Sequence, residues 1–216
     1  RIDYANDTAT APTKGNLSIA RDSLKSTGNA SFGYCIGGYA PSLSSPITTV
    51  DRIDYSNDTA VASVRGSLTE TVTNHGATGS PSFGYAGAGG GDLGTRIDRI
   101  DYNNDTATAV SKGKLGEARG YTQAAGNNDF GYFSGGQTPS NVTTVDRIDY
   151  SNDTPTATVK GPLSSPATLG SATGNSSFGY VFGYSGGTSQ RIDYNNDTAT
   201  ALARGSIYTV GNYRYW

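Results

Sequence analysis

The sequence contains no methionine, a single cysteine (Cys35), a single histidine (His75) and a single tryptophan (Trp216). One cysteine excludes an intramolecular disulfide framework and leaves the redox compartment unread. One histidine excludes a zinc site built on paired histidines. Glutamate is nearly absent, and no carboxylate pair confined to one part of the chain stands out for acid–base work. No apolar run is long enough to cross a bilayer as a helix. The net charge is -2 without a block of like charge, so neither nucleic-acid binding nor membrane insertion is expected. No signal-peptide pattern precedes Arg1, and a chain that starts there without methionine is expected to have been cut from a longer protein. Leu, Ile, Val and Phe together make up less than roughly a fifth of the chain, a level associated with disorder. Disorder also calls for high net charge and few aromatics. Here the charge is low and tyrosine occurs 15 times.

What is present is a repeat. The string Arg-Ile-Asp-Tyr begins at Arg1, Arg52, Arg99, Arg147 and Arg191, with steps of 51, 47, 48 and 44 residues. Other landmarks travel with it. A Lys/Arg-Gly-x-Leu/Ile element begins at Lys14, Arg65, Lys112, Lys160 and Arg204. A Phe-Gly-Tyr element begins at Phe32, Phe83, Phe130 and Phe178, followed by glycine pairs at Gly37-Gly38, Gly89-Gly90, Gly135-Gly136 and Gly186-Gly187. Repeats of this period signal stacked supersecondary units.

Each unit reads as four short strands. In NASFGYCIGG, Phe32 and Tyr34 point to one face, and Gly33 leaves the other bare for close approach of another backbone. In TTVDRIDY, Val50, Arg52 and Asp54 share one face, and Asp51, Ile53 and Tyr55 the other. SNDT is turn chemistry, because Asn and Asp bond their own backbone and tolerate tight turns. TAVASVRG is a third strand, and a variable fourth is expected before the next TGN. No segment has sustained helical periodicity, though Leu17 to Leu24 has room for one helical turn.

Four strands in about 45–50 residues is the period of a propeller blade. A double glycine, a spacer, then Val-Asp-Arg-Ile-Asp-Tyr and a polar turn resembles the kelch repeat of β-propellers. The resemblance covers the whole chain, but the Trp usual after the turn is absent from every copy, and the Phe-Gly-Tyr strand takes over the aromatic packing. The wording RIDYSNDTATA also resembles tandem repeats of virion and tail-fibre proteins of marine cyanobacterial phages. The tail YTVGNYRYW, Tyr208 to Trp216, aligns with STGNASFGY, Ser26 to Tyr34. The expected fold is therefore a single all-β domain over 1–216: a five-bladed β-propeller of four-stranded blades, closed by pairing of its N- and C-terminal strands. Closure removes an open sheet edge. A parallel β-solenoid is the rival, and it does not account for the complementary ends.

A residue present in every copy is expected to build the blade. Arg52 and Asp54, with their copies, are expected to form charge pairs between or within blades, in preference to a ring of ligand sites. Asp54, Ser56 and Asp58 have the alternating spacing of a calcium loop, but no glycine follows at the sixth position and no Glu at the twelfth. A turn between strands without metal is expected. The N-D-T sequons are read as the same turn chemistry, His75 as a surface loop residue, and Cys35 as a buried thiol in a packing series with Ala86, Phe133 and Val181. The Gly87 to Gly91 run lacks the Lys-Ser/Thr of a phosphate loop. No catalytic residue, cofactor or metal is expected.

Function is sought where copies differ, between the glycine pairs and the next Arg-Ile-Asp. Loops on a rigid scaffold are where binding surfaces diverge. By location the candidate ligand-binding residues are Tyr39, Asp92, Gln137, Asn141 and Gln190. The reading is a non-enzymatic structural and binding module of an extracellular assembly, a phage virion or tail fibre. Its expected partners are neighbouring subunits or a host-surface glycan. A cell-surface, lectin-like propeller is the first alternative and a propeller enzyme the second.

Overall fold

The computed structural model describes residues 1, 2, 5, 8–89, 94–183 and 188–206. The class is all-β. The described residues form four four-stranded antiparallel sheets, and a two-stranded ribbon pairs Tyr39–Ala40 with Ser45–Pro46. The first sheet runs Lys25–Gly28, Phe32–Ile36, Val50–Asp54 and Ser63–Val64. The second runs Gly76–Gly79, Phe83–Gly87, Gly94–Asp101 and Val110–Arg119. The third runs Gln123–Gly126, Phe130–Ser134, Val145–Asp149 and Thr158–Val159. The fourth runs Ser171–Gly174, Phe178–Phe182, Thr188–Asp193 and Leu202–Ser206. In every sheet neighbours in the chain are neighbours in space.

The variable strand is the opening strand of each sheet. Thr-Gly pairs back on Phe-Gly-Tyr, with Gly28 opposite Gly33 and Thr27 opposite Tyr34. The tip that joins them is an Asx turn: Asn29 Oδ1 accepts from the backbone N–H groups of Ser31 and Phe32, at 2.9 and 3.0 Å. Asn127 and Asn175 do the same in the third and fourth sheets. Leu17 to Leu24 forms no helical turn, and its one β-pairing is an isolated bridge from Asp22 to Tyr39 among the described residues.

The cores lie between successive sheets. The register puts Phe32, Tyr34, Arg52 and Asp54 on one face of the first sheet, since Phe32 faces Asp54 and Tyr34 faces Arg52. That face packs on the second sheet, where Tyr34 stacks on Tyr102 at 4.6 Å between centroids. Tyr85–Tyr150 and Tyr132–Tyr194 repeat the stack at 4.8 and 4.7 Å. Each such pair contributes about 0.5–1.5 kcal/mol beyond its buried area. The middle glycine of Phe-Gly-Tyr makes room for this arrangement. A Cβ on Gly131 would lie 2.7 Å from the Tyr150 hydroxyl and 2.7 Å from Thr78 Cγ2 of the preceding sheet. What approaches the bare face is therefore a tyrosine ring, joined at Gly84 and Gly131 by a threonine of the preceding sheet, not another backbone.

The opening strands of successive sheets adjoin one another. Each is preceded by a residue with left-handed backbone: Ser23, Asn74, Tyr121 and Leu169, with φ from 49 to 57°. Lys25 Nζ reaches Gly170 O at 2.9 Å, which brings the start of the first sheet to the start of the fourth. The aligned tail from Tyr208 to Trp216 lies outside the described residues.

Candidate functional site

Among the described residues the repeated charges form one device used four times. The aspartate of each Asn-Asp-Thr turn collects cations from the preceding repeat. Asp105 takes Arg52 Nη1 at 2.8 Å, the Tyr34 hydroxyl at 2.8 Å and Arg65 Nε at 3.6 Å. Asp153 takes Arg99 at 2.8 Å, Tyr85 at 2.9 Å and Lys112 at 3.4 Å. Asp197 takes Arg147 at 2.8 Å, Tyr132 at 3.0 Å and Lys160 at 3.1 Å. Asp58 takes Arg1 at 3.1 Å and Lys14 at 3.0 Å. The arginines are thus paired between sheets, with the turn aspartate and not with the aspartate two residues along. Four of the repeated arginines also cover the phenylalanine of their own sheet, Arg52 over Phe32 at 4.2 Å and likewise Arg99, Arg147 and Arg191.

The two carboxylates of each calcium-like string do separate work. Asp54 Oδ1 accepts from the backbone N–H and hydroxyl of Ser56, at 2.8 and 2.6 Å, and caps its own turn. Those hydrogen bonds from Ser56 hold its carboxyl below the ordinary value. Asp58 faces the cations of the previous repeat. For Asp197, burial acts to raise the pKa, but Lys160, Tyr132 and Arg147 outweigh it and the net direction is down. The Tyr34 hydroxyl is pushed up to about 12, by burial first and then by Asp105.

A second device joins each Lys/Arg-Gly segment to the next sheet. Asp51, Asp98, Asp146 and Gln190 occupy equivalent strand positions, all buried. Asp51 pairs with the fully buried Arg21 at 2.8 Å, and Asp146 with the fully buried Arg119 at 2.6 Å. Val72 and Ala167 stand where those arginines would be. With Val72, Asp98 is held by Thr69 and Arg96 instead. With Ala167 the acceptor is the neutral Gln190, bonded to Ser164 and Ser165 at 2.9–3.0 Å. The missing cation is matched by a missing charge, because an unpaired buried carboxylate is costly.

Gln190 therefore lies in a strand, 2% exposed, and is occupied with structural hydrogen bonds. Tyr39 and Gln137 occupy equivalent half-buried positions after glycine pairs with positive φ. Their backbones pair with Asp22 and Gly120, which fixes both loop stems. Asn141 is exposed and bridges back to Gln137. Asp92 lies outside the described residues. Gly89 and Gly94 line a cavity of about 290 Å³ together with Pro46, Glu70, Thr71, Arg96 and Asp98, in which Arg96 is paired with both Glu70 and Asp98. The structure brings Gln137 and Asn141 together and leaves Tyr39 in the equivalent loop of the first sheet.

His75 is a correction to the surface-loop reading. It is fully buried, and neither ring nitrogen has a hydrogen-bond partner among the described residues. Its position leads into the opening strand of the second sheet, where Leu24 and Thr122 stand in other copies. Burial, with Lys25 nearby, lowers its pKa to about 3. The unfolded chain binds a proton near pH 6.5, so this histidine destabilises the fold as pH falls from about 6.5 towards 3. The limiting slope is about 1.4 kcal/mol per pH unit. Denaturant titrations at several pH values are expected to show this loss in the wild type, and a clearly shallower one in His75→Leu. Parallel curves for the two proteins would contradict the assignment.

Cys35 is half-buried and accepts a contact from the Ser26 hydroxyl at 3.6 Å, whereas Ala86, Phe133 and Val181 are buried. The faces of the second, third and fourth sheets that carry those three residues are covered by the preceding sheet. Cys35 lies on the corresponding face of the first sheet. No protein-family model matches the chain, and no curated protein matches it.

Proposed function

We propose that the chain is a five-bladed β-propeller closed by its own ends, and that it serves as a non-catalytic structural and binding module of an extracellular assembly. The observation that carries this reading is the series of aspartate clasps. Asp58, Asp105, Asp153 and Asp197 each receive cations from the repeat before them. The fourth sheet holds the next donor set, Tyr180, Arg191 and Arg204, with no aspartate partner among the described residues. In sequence, the aspartate that continues the series is Asp7 of RIDYANDT. A donor set at one end and its acceptor at the other suit a ring. The contact from Lys25 to Gly170 supports the same arrangement.

The residues repeated in every copy are engaged in holding sheets together, which supports a scaffold over a catalyst. The wording of the repeat favours a phage virion or tail fibre, whose location is the virion or extracellular space. The loops between glycine pairs and Arg-Ile-Asp strands then present the surface that meets neighbouring subunits or a host glycan. Exchanging Gly38–Val50 and Gly136–Val145 for the short GGTSQ connection is expected to leave a folded protein that no longer assembles into particles or adsorbs to host cells. Normal assembly and adsorption by a folded variant would remove the loops from the function. Turnover of a small substrate by the unaltered chain would overturn the non-catalytic reading.

A further inference from the structure

The loops considered so far lie at one end of the sheets. The opposite end is formed by the Asx-turn tips and the turns that follow Arg-Ile-Asp, and among the described tips the repeat breaks there at the second and the third. In the first tip, Asn29 Nδ2 reaches across to Pro81 O of the second at 3.4 Å. In the third, Asn127 Nδ2 reaches Ser176 O of the fourth, also at 3.4 Å. The second tip carries Ser80 in place of that asparagine. Its hydroxyl still closes the local turn, accepting from Ser82 N and Phe83 N at 3.3 and 3.2 Å. It is too short to reach the equivalent carbonyl, Asn128 O, in the third tip. The third tip departs in turn: Asp129 stands where the other described tips have Ser31, Ser82 and Ser177.

Ser80 and Asp129 flank one open groove of about 500 Å³ between the second and third sheets. Pockets for small molecules commonly run from about 300 to 1,000 Å³. The two departures are thus spatially joined, although 49 residues separate them in sequence. Phe83, Phe130 and Tyr150 line the wall. The rim carries the carboxylates of Asp129 and Asp149 with the hydroxyls of Ser80, Ser82 and Ser151. Asp149 uses Oδ1 for Ser151 N and Oγ, at 2.9 and 2.6 Å, and hydrogen bonding from Ser151 keeps it ionised well below neutral pH. The lining residues include no lysine or arginine, and the Arg99 and Arg147 guanidiniums that lie over the Phe83 and Phe130 rings are already paired with Asp153 and Asp197. The fixed carboxylate of Asp149 and the exposed one of Asp129, beside serine hydroxyls and aromatic side chains, suit a ligand that offers many hydroxyl donors and apolar C–H groups. With those arginines paired elsewhere, the carboxylates of Asp129 and Asp149 disfavour an anion there.

We propose that this groove binds a neutral glycan, with Asp129 as the principal acceptor of its hydroxyls. The proposal rests on the reading of the chain as a binding module and is independent of the loops at the other end. The floor is already built: Thr78 Oγ1 and the Tyr150 hydroxyl, 3.0 Å apart and buried, tie the second sheet to the third beneath it.

The test is amide chemical-shift mapping on the full chain with lactose and maltotriose as neutral probes and 3′-sialyllactose as an anionic one. A neutral probe is expected to shift residues 80–83, 128–130 and 149–151 and to bind more tightly than the anionic probe. Asp129→Ser, which restores the residue of the other tips, should weaken binding at least about tenfold, the loss expected for a charge-assisted hydrogen bond. Ser80→Asn should bridge the groove and do the same, with melting temperature unchanged in both variants. Absence of tip shifts with either neutral probe overturns the proposal. So does unchanged affinity in both folded variants. Shifts confined to residues 38–50 and 136–145 overturn the groove while sparing the loop reading. Loss of assembly on loop exchange with tip binding intact supports both.

Discussion

Asp153→Asn is expected to destabilise the protein by about 3 kcal/mol, the usual cost of breaking a largely buried ion pair. For a domain of this size that corresponds to a fall of roughly 6–12 °C in melting temperature. The aspartate takes Arg99, Lys112 and the Tyr85 hydroxyl. Its side chain is only 7% exposed, so solvent replaces these contacts poorly. The amide keeps the shape but removes the charge, leaving two cations of the second sheet facing a neutral group. Arg99 also covers Phe83 and remains in place by that contact, which limits the loss. Asp58→Asn is the internal comparison. Its described partners are Lys14 and the largely exposed Arg1, so its effect should be clearly smaller. Thermal melting of the two variants checks the order. Equal and negligible shifts would show that the repeated charges do not hold the sheets together.

The same chemistry sets the acid limit. Asp197 has a lowered pKa in the fold, so its contribution is fully present above the unfolded value and is lost as pH falls through the folded one. His75 acts over a higher window, between about 6.5 and 3. Loss of stability on acidification is therefore expected to begin with the histidine and finish with the carboxylates.

The strands were legible because the repeat supplies several copies of each pattern. Phe-Gly-Tyr and Val-Asp-Arg-Ile-Asp alternate with period two, and both are strands in the described sheets. The phase of the variable strand was less legible, because Lys-Ser-Thr-Gly and Gln-Ala-Ala-Gly have little alternation of their own. Their pairing is set by the Asx turn that follows. The partner of Arg52 was hidden because it lies 53 residues away, in the next turn, whereas Asp54 is two residues away on the same strand. His75 read as a loop residue because it follows Thr-Asn in a variable stretch. Only the packing of neighbouring sheets shows that this stretch leads inward. Gln190 appeared to belong to a short loop, and its kinship with Asp51, Asp98 and Asp146 emerges once the strand is extended by two residues. Ser80 and Asp129 were readable in principle. Aligning TGNASF, TGSPSF, AGNNDF and TGNSSF shows both exceptions, but not that they meet across one groove.

The most direct test of the central claim, that the repeated residues build a ring closed by the two ends of the chain, is the melting temperature of Asp7→Asn. If Asp7 completes the series, it accepts Arg191, Arg204 and Tyr180 as Asp153 accepts Arg99, Lys112 and Tyr85. The loss should then match that of Asp153→Asn, about 3 kcal/mol. It should also be non-additive with Arg191→Met, since the two residues form one interaction. In an open chain Asp7 belongs to a terminal segment with no donor set to meet, and its charge contributes little. A fall comparable with Asp153→Asn, coupled to Arg191, is the predicted result; an unchanged melting temperature would contradict the closed ring.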